Sequence, residues 1–169
     1  MKHRAFLGLG SRDGERSSMI TEALLLLAQR EIGIERVSSL YETAPVGLEG
    51  SAPLLNAAAE ITISQSPEDL LASCLSVESL LGRRRAPQSP DLGPRPIDLD
   101  ILFFDDLVKP GPGLILPHPR LHLRRFVLVP LAEIAPCLRH PVIGKEIATL
   151  LAGCEDTAWV RPYRARTIR

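Results

Sequence analysis

Gly93-Pro94-Arg95-Pro96-Ile97-Asp98-Leu99-Asp100-Ile101-Leu102-Phe103-Phe104 sets two acids inside an otherwise apolar run. Strand side chains repeat every two residues, so Ile97, Leu99 and Ile101 share one face while Asp98 and Asp100 stand side by side on the other. Asp is a poor strand former, and two of them here call for a reason. One reading is a solvated edge of an antiparallel sheet. The other is a carboxylate pair whose mutual repulsion is relieved by a hard divalent cation, Mg²⁺ being the natural one. Arg95, just ahead of the pair, suits a polyphosphate held beside such a metal.

Upstream, Ala5 to Leu9 reads as a short buried strand ending at Gly10-Ser11, and Ser17 to Arg30 as a helix with Ile20, Leu24 and Leu27 on one face. Gly33 is the expected C-cap. Ile34 to Tyr41 is a second strand, Glu42 to Pro53 a loop, and Leu54 to Ser64 a third strand. Ser66-Pro67-Glu68-Asp69 starts a second helix, with Ser at the N-cap, Pro at N1 and acids in the first turn, which runs to about Leu81. A proline-rich irregular loop then leads into the aspartate strand. Downstream come a tight turn at Phe104 to Val108, a short strand Leu114 to Leu116, a basic irregular-to-helical stretch Pro117 to Arg125, an apolar segment Phe126 to Ala135 and a short helix Glu146 to Ala152. The tail from Trp159, with Arg161, Arg164, Arg166 and Arg169, reads as a solvated peripheral arm. Strand, helix, strand, strand, helix, strand is the split β-α-β order, so the expected fold is α+β: a ferredoxin-like β-α-β-β-α-β core with an antiparallel sheet, helices packed on it and C-terminal additions. Residues 1–169 read as a single domain, with 158–169 as the arginine-rich tail.

A chain of 169 residues with 45% hydrophobic and 24% charged residues can bury an ordinary globular core. Twenty basic and twenty acidic residues cancel, and aromatics make up only 4%. A general affinity for nucleic acid or membrane is therefore not expected. Cys74, Cys137 and Cys154 are odd in number and far apart, which points to reduced thiols in a cytoplasmic protein. The N-terminal apolar run is too short for a signal sequence, and the run from Ala23 to Ala28 too short for a membrane span.

Other residues carry chemistry of their own. Arg83-Arg84-Arg85 follows a helix C-terminus; it either complements the dipole or supplies guanidinium forks for phosphate. His118, between Pro117 and Pro119, is structural, or with Arg124 binds phosphate. Asn56 opens an apolar strand, where it caps a turn or reads the donor–acceptor edge of a heterocycle. Glu78 reads as a solvated helix face. Neither a Gly-x-x-x-x-Gly-Lys-Ser/Thr loop nor a Gly-x-Gly-x-x-Gly is present, so a nucleotide would be held by metal and arginines.

These residues together resemble the 6-hydroxymethyl-7,8-dihydropterin pyrophosphokinase family. The likeness runs from Phe6 to about Leu151 and rests on Gly8-Leu9-Gly10-Ser11, Tyr41-Glu42-Thr43-Ala44-Pro45-Val46-Gly47, Leu55-Asn56-Ala57-Ala58, Glu78 with Gly82-Arg83, the Gly-Pro-Arg-x-x-Asp-x-Asp-Ile-Leu core, Pro117-His118-Pro119 and Arg124-Arg125-Phe126-Val127-Leu128. It implies transfer of the terminal pyrophosphate of ATP, the co-substrate, to the hydroxymethyl group of the pterin, releasing AMP in folate biosynthesis. It further implies two Mg²⁺ ions on Asp98 and Asp100, with Arg83 and Arg95 gripping the triphosphate as catalytic partners. Glu78, Arg85, Ile101, His118 and Arg124 would complete the ATP site. Thr43, Ala44, Pro45, Val46, Gly47 and Asn56 would bond or pack the pterin, with Phe126 stacked on it. The sequence departs from the family pattern at Leu92, Leu54 and Pro119, where aromatics are common; the pterin would then lie between Phe126 and an aliphatic side chain. The expected protein is a monomer or weak homodimer. Two rivals stand beside this reading: another metal-dependent nucleotidyl- or phosphotransferase, and a ferredoxin-like binding module for RNA or a protein partner.

Overall fold

The computed structural model describes residues 1–12, 14–44, 53–82 and 96–164. Its elements are β1 (His3–Ser11), α1 (Arg16–Ala28), β2 (Gly33–Val37), β3 (Tyr41–Thr43), β4 (Leu54–Ile63), α2 (Pro67–Leu80), β5 (Asp98–Phe104), β6 (Lys109–Pro110), β7 (Ile115–Leu116), α3 (Arg125–Ile134), α4 (Ile147–Ala152) and β8 (Val160–Pro162). The main sheet runs β5-β1-β4-β3-β8, with β2 on the far half of β4 and every pairing antiparallel. With β5 beside β1 and the β2–β3 segment beside β4, this is the expected ferredoxin-like α+β core. β6 and β7 form a separate hairpin.

Alternation along the strands divides the core between the two sheet faces. Leu7 and Leu9 of β1, Leu55, Ala57 and Ile61 of β4, and Leu99 and Ile101 of β5 pack against Ile20, Ala23 and Leu27 of α1 and Leu70, Cys74 and Val77 of α2. On the other face Phe6, Ala58, Leu102 and Phe103 meet Val127, Leu128, Leu131 and Ile134 of α3 and Ile147 of α4. Helices α3 and α4 cover only part of that second face, and the uncovered part becomes the cleft.

Local chemistry explains the helix starts. Ser66 caps α2 through a capping box: its hydroxyl accepts from the Asp69 N–H at 3.2 Å, and Asp69 returns the bond to the Ser66 N–H at 3.2 Å. Gly33, in contrast, is not a C-cap. Helix α1 ends at Ala28 with Gln29 as its cap; Glu31 takes the left-handed turn at φ 62°, and Gly33 opens β2, where a Cβ would come within 2.5 Å of the Thr62 hydroxyl.

Three further departures have physical causes. The single strand expected over Ile34 to Tyr41 is broken after Val37, because the Ser38 hydroxyl accepts the Ala58 N–H at 2.9 Å and takes over a ladder bond. The alternation of β5 slips where Leu7 pairs Ile101 but Phe6 pairs Phe103. Leu102 is the extra residue of this bulge, and Leu102 and Phe103 both turn to the α3 side. Finally, the C-terminal stretch is not a free solvated arm throughout, since Val160–Pro162 adds an edge strand to β3.

Candidate active site

Cross-strand register assembles the site. Asp98 pairs with Gly10, which pairs with Asn56; Asp100 pairs with Gly8, which pairs with Ala58. The two aspartates thus face Asn56 across two glycines, on the part of the sheet that α3 leaves open. A cleft of about 220 Å³ lies there, lined by Asp98 and Asp100 of β5, by Thr43, Ala44, Leu54 and Asn56 of the β3–β4 side, and by Arg124 and Phe126 at the start of α3. Gly8, Gly10, Arg12 and Leu102 also line it. A carboxylate wall beside an amide wall suits a charged group next to a flat polar ring.

The amide-bearing side is pre-set. Asn56 is 7% exposed, and its Nδ2 donates to the Thr43 hydroxyl at 2.8 Å, which fixes the amide orientation. Phe126 sits in the first turn of α3 with the Arg124 guanidinium 5.6 Å from its ring centroid. Helix α3 is tied to the β2–β3 corner by Glu133, whose carboxylate accepts from the Ser39 N–H, the Ser39 hydroxyl and, at 2.7 Å, the Tyr41 hydroxyl. Burial and this carboxylate push the Tyr41 phenol up to about 12.

The acidic wall is braced from behind. Glu78 is not a solvated helix face: it is 2% exposed, and its Oε1 accepts the Leu99 N–H at 2.8 Å, between the two aspartates. β5 is an edge strand among the described residues, so this bond satisfies a donor that none of their strands reaches. The Ser11 hydroxyl donates to the Pro96 carbonyl at 2.6 Å and anchors the approach to β5. Ile101 is 4% exposed and its side chain lies in the helix-side core, so any nucleotide contact from this residue falls to its main chain. Cys74 is buried beneath, its thiol raised to about 12 by burial and by Glu78 and Asp100.

His118 hangs its backbone on β5 through its N–H to the Leu102 carbonyl at 2.9 Å. Its Nδ1 accepts from the Arg120 N–H at 3.2 Å, which places the proton of the neutral ring on Nε2. Burial, then Arg124 and Arg120, lower its pKa from 6.5 to about 4. The folded state therefore holds a neutral imidazole that the unfolded chain protonates first, so stability is full above the unfolded pKa and falls as pH drops from 6.5 toward 4. Denaturant unfolding at successive pH values is expected to show this slope, and His118→Gln to reduce it; His140, shifted in the same direction by burial and His122, and the lowered carboxyls of Glu60 and Glu133 contribute to what remains. An unchanged slope in His118→Gln would contradict the assignment. Burial and Arg120 also lower the pKa of Arg124, against the pull of Asp100 and Asp98.

Pro45, Val46, Gly47, Arg83, Arg85, Leu92 and Arg95 lie outside the described residues. Arg12, Gly8 and Gly10 also line the cleft, a role the sequence signals only through the two-residue spacing of the glycines. Asp98 and Asp100 fit a hard cation: both are half-buried oxygen donors at i and i+2 on one strand face, opposite bare glycine backbone. Mg²⁺ is characteristically held by one or two carboxylates and completed by substrate phosphates and water.

A carboxylate pair on one side and an amide beside an aromatic ring on the other could bring a cation-bound phosphate against a heterocycle, an arrangement that fits the class of phosphoryl-transfer enzymes. The family model for 7,8-dihydro-6-hydroxymethylpterin-pyrophosphokinase (HPPK) matches residues 6–136. The chain belongs to this family and is a pyrophosphokinase of folate biosynthesis. It is 44% identical over 135 residues to the 2-amino-4-hydroxy-6-hydroxymethyldihydropteridine pyrophosphokinase of Bacillus subtilis, covering 79% of each chain. It is 43% identical over 144 residues to the enzyme of that name from Methylorubrum extorquens, covering 85% of this chain and 87% of the relative. The Plasmodium falciparum HPPK-DHPS wild-type structure matches with a TM-score of 0.72 at 17% identity, over 90% of this chain and 45% of that one. This chain thus spans less than half of that protein, and the likeness bears on the fold.

Proposed function

We propose that the protein transfers the terminal pyrophosphate of ATP to the hydroxymethyl oxygen of 6-hydroxymethyl-7,8-dihydropterin, releasing AMP, with two Mg²⁺ ions held at Asp98 and Asp100. The observation that supports this most is the single row Asp98–Gly10–Asn56, which sets the carboxylate wall against the ring-reading wall without an intervening side chain. Once bound, the ions would neutralise charge on the triphosphate and acidify the attacking hydroxyl.

The chain's own residues orient the two substrates. Asn56, held by Thr43, presents its amide to the pterin edge, and Phe126 and Leu54 flank the ring. Arg124 lines the cleft and faces the phosphates; family resemblance assigns a phosphate contact to His118, whose neutral ring carries its proton on Nε2. Family resemblance assigns the triphosphate grip to Arg83 and Arg95 and further ATP contacts to Arg85 and the Ile101 main chain. It assigns Pro45, Val46 and Gly47 to the pterin. Glu78 supports β5 from behind. We place the protein in the cytoplasm, as a monomer or weak homodimer with residues 1–169 acting as one domain.

Product analysis tests the reaction. With ATP, Mg²⁺ and the dihydropterin, AMP is expected to appear in step with the pyrophosphorylated pterin, and chelation of the metal to stop both. ADP as the nucleotide product, or turnover that persists in excess chelator, would sink the proposal.

A further inference from the structure

Residues 137–169 lie beyond the stretch that the family model matches, yet a short run among them reaches both the α3 and the β3 parts of the cleft lining around Asn56. Helix α3 starts at Arg125, and its N-cap, Arg124, makes no side-chain capping bond. The cap comes from elsewhere in the chain: Asp156 Oδ2 accepts the Arg125 N–H at 2.9 Å, while Oδ1 accepts the Ala158 N–H at 3.0 Å. A carboxylate there satisfies an open donor and complements the helix dipole, in the turn that carries Phe126.

The same run also holds the β3 part of that lining. The Ala44 N–H donates to the Trp159 carbonyl at 3.2 Å, and the Tyr163 N–H to the Leu40 carbonyl at 2.8 Å. These bonds put the ladder in phase with the Glu42–Arg161 pair, so Pro162 turns its missing donor away from β3, as an edge strand allows. The Arg161 guanidinium lies 4.7 Å from the Trp159 ring centroid and bonds the Glu42 carboxylate at 2.9 Å. Glu42 also meets Arg16 at 3.5 Å, and Arg16 donates to the Pro53 carbonyl, beside Leu54.

We propose that residues 156–163 form a positioning strap that fixes the separation between Phe126 on α3 and Thr43–Ala44 on β3, and thereby sets affinity for the pterin. This inference rests on the pterin reading of that wall. Asp156 touches no substrate in this scheme; it acts through the first turn of α3.

The test compares Asp156→Ala, Asp156→Asn, Phe126→Ala and Ile20→Val, the last a deletion in the helix-side core away from the cleft. Each is measured for KM of both substrates, kcat, melting temperature and direct binding of the dihydropterin. Asp156→Ala is expected to raise KM and Kd for the pterin by about five- to tenfold, the scale of one lost helix cap, with kcat and the KM for ATP within about twofold of the parent. Asp156→Asn, which still accepts the Arg125 N–H, should restore most of the affinity. Ile20→Val should lower the melting temperature without this KM split. If Asp156→Ala merely melts earlier and binds pterin like the parent, or weakens both substrates equally, the strap is structural only and the proposal fails. If Phe126→Ala leaves pterin binding unchanged, the pterin reading itself fails, and the strap proposal with it.

Discussion

Asp98→Asn and Asp100→Asn are each expected to lower kcat by about a thousandfold or more while the protein stays folded and still binds the dihydropterin. Asn has nearly the shape of Asp, so β5 can keep its pairing with β1, and what changes is charge. A carboxylate contributes a full negative charge to a hard cation, whereas an amide oxygen contributes a dipole. Losing ~4 kcal/mol of transition-state stabilisation corresponds to about a thousandfold in rate, the scale of a missing metal ligand. The pterin wall of Asn56, Thr43 and Phe126 is built on β4, β3 and α3, so binding of the pterin alone should hold within about threefold. The double variant should lose little beyond either single one, because groups that act as a unit are strongly non-additive. Rapid-quench turnover, Mg²⁺ titration and equilibrium pterin binding together decide the matter. If either variant keeps a tenth of the parental rate, the acids are the solvated edge that the bare sequence also allowed.

The parts of this molecule legible in the sequence are those fixed by short-range repeats. Two acids at i and i+2 in an apolar run had to share a face, and Ser66-Pro67 with Asp69 had to start a helix, whatever lay around them. Glu78 reads as solvated in the sequence, yet the same sequence carries the signal of its burial. It follows Leu70, Cys74 and Val77 on the buried stripe of α2, and only the docking of that stripe beside β5 explains an acid within it. The break at Ser38 had no local signature, because it depends on a hydroxyl meeting the Ala58 N–H across the sheet. Val160–Pro162 reads as part of a solvated arm for the same reason: three residues form a strand only once β3 offers them an edge.

Gly10→Ala is expected to cut kcat/KM by about tenfold and Gly10→Val by about a hundredfold or more, with little loss of stability. Neither Gly10 nor Gly8 is among the residues with positive φ, so backbone freedom does not explain them. Space does. A Cβ on Gly10 would lie 3.1 Å from the Asn56 Oδ1 and 4.0 Å from the Asp98 Cβ. The side chain would therefore enter the one gap that joins the two walls, and Asn56 would have to yield by a few tenths of an ångström against its 2.8 Å bond to Thr43. The branched Val adds two methyls where substrate must sit. Stability should move the other way or hardly at all, since Gly→Ala at an ordinary backbone conformation reduces unfolded-state entropy by ~0.4–1 kcal/mol, which offsets the crowding. Gly8→Ala is the internal control: its Cβ would meet a Leu102 methyl at 3.4 Å, an ordinary contact with a movable side chain, so its effect should be several-fold smaller. Steady-state kinetics and thermal melts on the three variants separate the causes. Activity lost without a matching fall in melting temperature means that the glycines keep the cleft floor clear. Activity and stability falling together, or Gly10→Ala turning over like the parent, would mean that they serve strand packing instead.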